Sequence, residues 1–251
     1  MTTPTRTHES PFRVWDFFVV IGITFGVVAV GSIAAVIVAL PNLDDLSDPM
    51  AIVGEPVVFW SALVLQWVGS FVGLLVVKAY RRATIEDFGL PITSRDATGI
   101  LWGLGAVGAL VAIGAVLQAM GLEAPEQDSV AALGAVDGPL LTLVAIVGVG
   151  VVGPLTEELM YRGVLQGSLT RRFAVMPSIV IASAIFAVSH YQPGVPAPAL
   201  LAVLLLPIFL LSITLGWLVE RDGGRIGRAF FMHATFNAVQ VALVLIGVSG
   251  I

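Results

Sequence analysis

Three polar patches interrupt an otherwise apolar chain of 251 residues: Glu157-Glu158 with Arg162, Phe186 with His190, and His233 with Asn237. A carboxylate, two imidazoles and a carboxamide suit the activation of water beside a polarised carbonyl. Glutamate takes the proton from water, a histidine shares or relays it, and histidine with asparagine donates to the oxyanion. Glu158 and Arg162 are spaced four apart, so on a helix they share a face and can pair. Glu157 is turned about 100° away. The spacing therefore splits the two carboxylates, with Glu158 and Arg162 as scaffold and Glu157 facing a cavity as base. His233 and Asn237 also share a helical face, which Gln240 continues among the apolar neighbours Phe230, Phe231, Met232, Phe236 and Val239. Polar groups aligned on one face of a membrane helix are not expected to look at lipid. The same Glu157, His190 and His233 could hold a zinc ion. The His-Glu-x-x-His pattern is absent, and spacing does not decide between the two chemistries. A plainer reading makes each patch a helix end or an interhelical hydrogen-bond clamp.

The elements that must position these groups are membrane helices. Charged residues make up 12% of the chain, against about 25% in soluble domains. Apolar segments run over residues 17–40, 57–77, 100–120, from 140 to the Glu pair, and over 177–190, 199–219 and 229–246. The expected fold is all-α, a polytopic helix bundle of seven transmembrane helices, or eight if one segment is split. The first segment is too long and apolar for a cleaved signal and reads as an anchor. Segment five falls short of the roughly 20 residues a spanning helix needs. Residues 1–13 read as a disordered cytoplasmic tail, 14–138 as N-terminal transmembrane helices, and 139–247 as the domain carrying the chemistry. Pro154 follows Gly148, Gly150 and Gly153 and cannot donate to the Gly150 carbonyl. A break that widens the helix just before Glu157 is expected there. Gly22/Gly26, Gly69/Gly73 and Gly99/Gly103 have the small-xxx-small spacing that lets helices approach closely.

All 12 Lys and Arg residues fall on one side of this alternation. They are Arg6, Arg13, Lys78, Arg81, Arg82, Arg95, Arg162, Arg171, Arg172, Arg221, Arg225 and Arg228. The opposite loops carry Asp44, Asp45, Asp48, Glu55, Glu123, Glu126, Asp128 and Asp137 and no base. By the positive-inside rule the N-terminus is cytoplasmic and the C-terminus outside. A net charge of -5 without a basic stripe argues against nucleic-acid binding. The absence of cysteine removes disulfides, thiol nucleophiles and thiolate metal sites.

On these residues the chain resembles the CPBP family of intramembrane proteases, also known as the Abi or CAAX-protease family. Its three motifs, Glu-Glu-x-x-x-Arg, Phe-x-x-x-His and His-x-x-x-Asn, appear in order between about residues 140 and 246. The resemblance implies Glu157 as the water-activating residue, His190 as its partner, and His233 with Asn237 as the oxyanion site. Glu158 and Arg162 carry over as motif residues. The family is often labelled metalloprotease, yet its better-understood members look like glutamate-dependent hydrolases. No obligatory metal is therefore expected, with zinc as the alternative. The implied substrate is a membrane-associated peptide, prenylated or bacteriocin-like, met in lipid. A multi-pass protein of a prokaryotic cell membrane is expected.

Two points are left for the structure. The charge rule puts Glu157 and His233 towards the cytoplasmic half, whereas His190 ends a helix running outward for some 20 Å. The site closes only if segment five is short or Glu157 lies deep. The competing reading is a non-catalytic membrane scaffold, or a transporter, that keeps the polar residues as an interhelical network. Gly247-Val248-Ser249-Gly250 matches a serine-protease pattern but reads as helix-end punctuation, and Gly-x-Gly-Asp is missing.

Overall fold

The computed structural model describes residues 10–42, 52, 55–121, 132–134, 136, 138–192, 195, 197 and 200–247. These form helices joined by turns, with no strand among the described residues. Helix α1 is Val14–Ala39, α2 Pro56–Arg81, α3 Gly99–Ala119 and α4 Pro139–Leu169. Helix α5 is Val175–Val188, α6 Val203–Arg221 and α7 Gly227–Leu245. Six of them are long and apolar enough to cross a membrane, and α5 is the short seventh. The acidic loop residues Asp44, Asp45, Asp48, Glu123, Glu126, Asp128 and Asp137 lie outside the described residues, as do 1–9 and 248–251.

Helix starts follow local chemistry. At α2, Pro56 occupies the first turn, where its missing N–H costs nothing. The Glu55 carboxylate accepts from the Val57 and Val58 amides at 2.7 and 3.2 Å. Two of the three glycine pairs sit at crossings. A side chain at Gly69 or Gly73 would press on the α1 backbone at Thr24 or Val20. One at Gly99 or Gly103 would press on α7 backbone at Arg228 or Met232. Gly22 and Gly26 face open space, so that pair serves no crossing here.

Helix α4 is the hub. Every residue from Glu158 to Leu169 is buried. Around this stretch pack α1, α2, α5, α6 and the short turn Glu86–Phe88. Three sequence expectations change accordingly. The Glu pair does not close segment four, because the helix continues through it to Leu169. Arg162, grouped above with the loop cations, is fully buried inside that helix. Its charge faces other helices, so it carries no weight in the positive-inside count. Residues 10–13, read above as part of the tail, lie against the bundle. Phe12 is fully buried with its ring 4.6 Å from that of Phe88, and the Arg171 guanidinium donates to the Ser10 carbonyl at 2.7 Å. An apolar ring two residues before α1 is what pulls this stretch onto the bundle.

Candidate active site

The site is built on an unusual stretch of α4. A nine-residue π-helical run, Val144–Val152, leads into an ordinary α turn, Gly153–Glu157, and a second π run follows at Glu158–Gln166. π turns pair each N–H with the carbonyl five residues back, and they concentrate at functional sites. The Gly153 amide accordingly donates to the Gly148 carbonyl. In that register the next donor, for the Val149 carbonyl, would be residue 154, and proline has none. The orphan carbonyl is thus Val149, not Gly150 as an α-helical register predicts. Asn237 takes it, its Nδ2 donating to the Val149 oxygen at 3.2 Å. Pro154 and Asn237 are therefore linked across two helices. Trp67 of α2 fills the space beside Gly148 and Gly153 that side chains there would occupy.

One α turn after this break come the two carboxylates, and they differ as their helical phase requires. The Glu158 side chain is fully buried, while that of Glu157 keeps 25% exposure. Glu158 Oε2 stands 3.4 Å from Arg162 Nε, the expected pairing four residues on. Its other oxygen accepts from His233 Nδ1 at 3.0 Å, a partner that spacing did not indicate. His233 Nε2 lies 3.6 Å from Glu157 Oε2. One imidazole thus bridges the two adjacent carboxylates. The contact with Glu158 fixes the Nδ1 proton, because a carboxylate in this pairing only accepts, and it aims Nε2 at Glu157. Arg162 is anchored on its far side by the Ser212 carbonyl and hydroxyl at 3.3 and 3.0 Å. Its guanidinium also lies 5.3 Å from the centre of the Phe186 ring.

Phe186 brings His190 to this group. Its ring centre is 4.7 Å from that of His190 and 5.8 Å from that of His233. The depth problem is resolved on the α4 side: the helix runs twelve residues beyond Glu157, to Leu169, about as far as the 14 residues of α5 carry the chain back to His190. Just past the end of α5, His190 Nδ1 sits 2.8 Å from the Phe186 carbonyl. Ser189 Oγ donates to the same carbonyl at 2.7 Å and accepts from the Tyr161 hydroxyl at 3.0 Å. Glu157, Glu158, Arg162 and His233 are in direct contact, His190 joins through the Phe186 ring, and Asn237 stands on the π-helical run beside them.

A zinc ion would need Glu157, His190 and His233 to converge. Among the described residues no three His, Cys, Asp or Glu side chains are grouped to hold a metal. One ring nitrogen of each histidine is already engaged, by Glu158 and by the Phe186 carbonyl. The donor set as placed does not fit a three-ligand zinc site.

Sequence reasoning missed Tyr161, Ser189, Ser212 and the Val149 carbonyl. A serine in an apolar helix carries no local signal, and a backbone carbonyl carries none at all. Tyr161 alone had a positional cue, four residues beyond Glu157. Beside the site, α7 turns Met232 and Phe236 into an apolar cavity of about 510 Å³, which Trp102, Ala106, Leu210 and Leu211 also line.

Residues 139–239 match the family described as type II CAAX prenyl endopeptidase Rce1-like. No curated protein and no solved structure matches the chain.

Proposed function

Because residues 139–239 match the type II CAAX prenyl endopeptidase family and carry the three CPBP motifs, we propose that the chain is an intramembrane peptidase, that Glu157 is its water-activating base and that its substrate is a peptide anchored in the bilayer. The observation that carries this reading is the bridge Glu158–His233–Glu157, set in the middle of a membrane helix. Glu157 is the partly open member of the bridge, so it can reach a water that Glu158 cannot. The Glu157 carboxylate takes a proton from water, and the oxygen attacks the peptide carbonyl carbon. The oxyanion receives hydrogen bonds from His233 Nε2–H, with the imidazole doubly protonated, and from the second N–H of the Asn237 amide. Collapse breaks the C–N bond as Glu157 returns the proton to the leaving amine. His190 shares the attacking water through Nε2. No step runs through a metal.

The neighbouring apolar cavity supports an anchored substrate. One helix, α7, presents His233 to the carboxylates and Met232 and Phe236 to that cavity. A chain lying in lipid can enter there with its peptide close to Glu157. A prenylated peptide, the substrate in the matched family's description, fits this entry. The N-terminus is assigned to the cytoplasm on the remaining loop cations.

Glu157→Gln in liposomes carrying a prenylated peptide tests the reading. General-base loss predicts cleavage lower by about 10²–10⁴-fold, with unchanged insertion and thermal unfolding. Chelators should leave the wild-type rate unchanged. Cleavage at the wild-type rate by Glu157→Gln would sink the assignment.

A further inference from the structure

We propose that Tyr161 is a positioning residue that acts through Ser189 to hold His190 in one tautomer, with Nε2 turned to the site; the consequence for rate rests on the peptidase reading above. His190 lies beyond α5, in the turn that follows Val188. Carbonyls of a last helical turn lack intrahelical partners, and helix ends fray. Here the Phe186 carbonyl is occupied from two sides, by Ser189 Oγ at 2.7 Å and His190 Nδ1 at 2.8 Å. A carbonyl oxygen has no proton to give, so Nδ1 must carry one. In the neutral ring Nε2 then holds the lone pair.

Ser189 could by itself turn towards His190, whose Nδ1 is 3.4 Å from its hydroxyl oxygen. As a donor to Nδ1 it would stabilise the opposite tautomer and blunt Nε2 as an acceptor. Tyr161 decides between the two. Its hydroxyl donates to Ser189 Oγ at 3.0 Å, which leaves the serine proton free for the Phe186 carbonyl. Tyr161 is itself buried, fixed edge-on to Phe186 at 4.9 Å and to Phe17 at 5.2 Å. It stands on α4 four residues beyond Glu157. One phenol thus ties the end of α5 to the helix that bears the base, and this relay registers His190 against Glu157.

The chain has three histidines, His8, His190 and His233, so ¹⁵N-histidine spectra of the full protein in lipid nanodiscs can be assigned with His8→Gln and His190→Gln. The wild type should show His190 in the Nδ1–H form. Tyr161→Phe keeps both ring contacts and removes only the hydroxyl. It should give a mixture of tautomers and lower kcat by about tenfold, the scale of one hydrogen bond, at unchanged KM. Ser189→Ala removes the competing serine donor, so its spectra should keep His190 in the Nδ1–H form. The double variant should then recover the spectrum and the rate that Tyr161→Phe loses. An unchanged His190 spectrum in Tyr161→Phe overturns the proposal, and so does a double variant that stays as mixed as Tyr161→Phe. The spectra read the tautomer without any cleavage, so they stand even where Glu157 proves not to be the base.

Discussion

Among the described residues two carboxylates, Asp16 and Glu158, are wholly enclosed, and they are treated in opposite ways. Asp16, in the first turn of α1, is saturated. It accepts from the Arg13 amide at 2.7 Å, from Tyr80, and from Arg81 Nε and Nη2 at 2.8 Å each. Glu158, inside α4, has one good donor, His233 Nδ1. Its Oε2 faces Arg162 without a hydrogen bond, and Arg162 Nε and Nη1 are also left without acceptors. Buried polar groups are nearly always satisfied, and the exceptions need a reason. A saturated carboxylate holds two helices together. An under-satisfied one leaves its charge to act on the bridging histidine, and through it on Glu157, the carboxylate that water can reach. Asp16 belongs to the part of the chain that the family match does not cover, and Glu158 to the part that it does.

The largest effect should come from removing the charge in each place. Glu158→Leu strands the buried Arg162 cation, and breaking a buried pair costs about 3–5 kcal/mol. It also frees His233 Nδ1, so activity should be lost together with stability. Asp16→Asn keeps the shape and some hydrogen bonds, and should cost about 1.5–3 kcal/mol with unchanged kcat per folded molecule. Thermal unfolding in detergent, with cleavage measured on the folded fraction, separates the two. Equal loss of kcat in both variants would erase the distinction between holding and poising.

A smaller effect is expected at the break itself. Pro154→Ala supplies an N–H for the Val149 carbonyl and so releases Asn237. Folding should be unharmed, since a helix donor is gained. A misplaced oxyanion donor should slow cleavage by up to about 10²-fold. Asn237→Ala in the Pro154→Ala background should then add little. An undiminished rate in Pro154→Ala would show that the Val149 contact does not position Asn237.

This link marks where reading by spacing stops. Six long apolar helices, the short α5 and the Glu158–Arg162 pairing were all visible in the sequence, because hydropathy and a four-residue interval are local quantities. The π register was not. It depends on Trp67 filling the space at Gly148 and on Asn237 capping Val149, partners contributed by α2 and α7. The end of segment four was misjudged for a related reason. Glu157-Glu158-Leu159-Met160-Tyr161-Arg162 looks like a wet helix end when its charges are counted alone. It is buried because Ser212, His233 and Phe186 arrive from three other helices to receive those charges. The bridge by His233 was illegible for the same reason, since nothing in its spacing names Glu158.

The smallest effects concern the packing that carries the site. Gly73 and Gly22 are both helical glycines in the unmatched part of the chain. A Cβ on Gly73 would stand 2.9 Å from the Val20 Cα, a backbone atom that moves only if α1 moves. One on Gly22 would meet nothing within 4 Å. Gly73→Ala should therefore destabilise by about 1–3 kcal/mol, the cost of overpacking. Gly22→Ala should stabilise α1 by up to about 1 kcal/mol through helix propensity. Because α1 also packs on the second π run of α4, Gly73→Ala should slow cleavage slightly while Gly22→Ala leaves it unchanged. Opposite signs in unfolding temperature are the outcome to look for. A destabilised Gly22→Ala would mean that this glycine face, open in the monomer, is covered in the membrane.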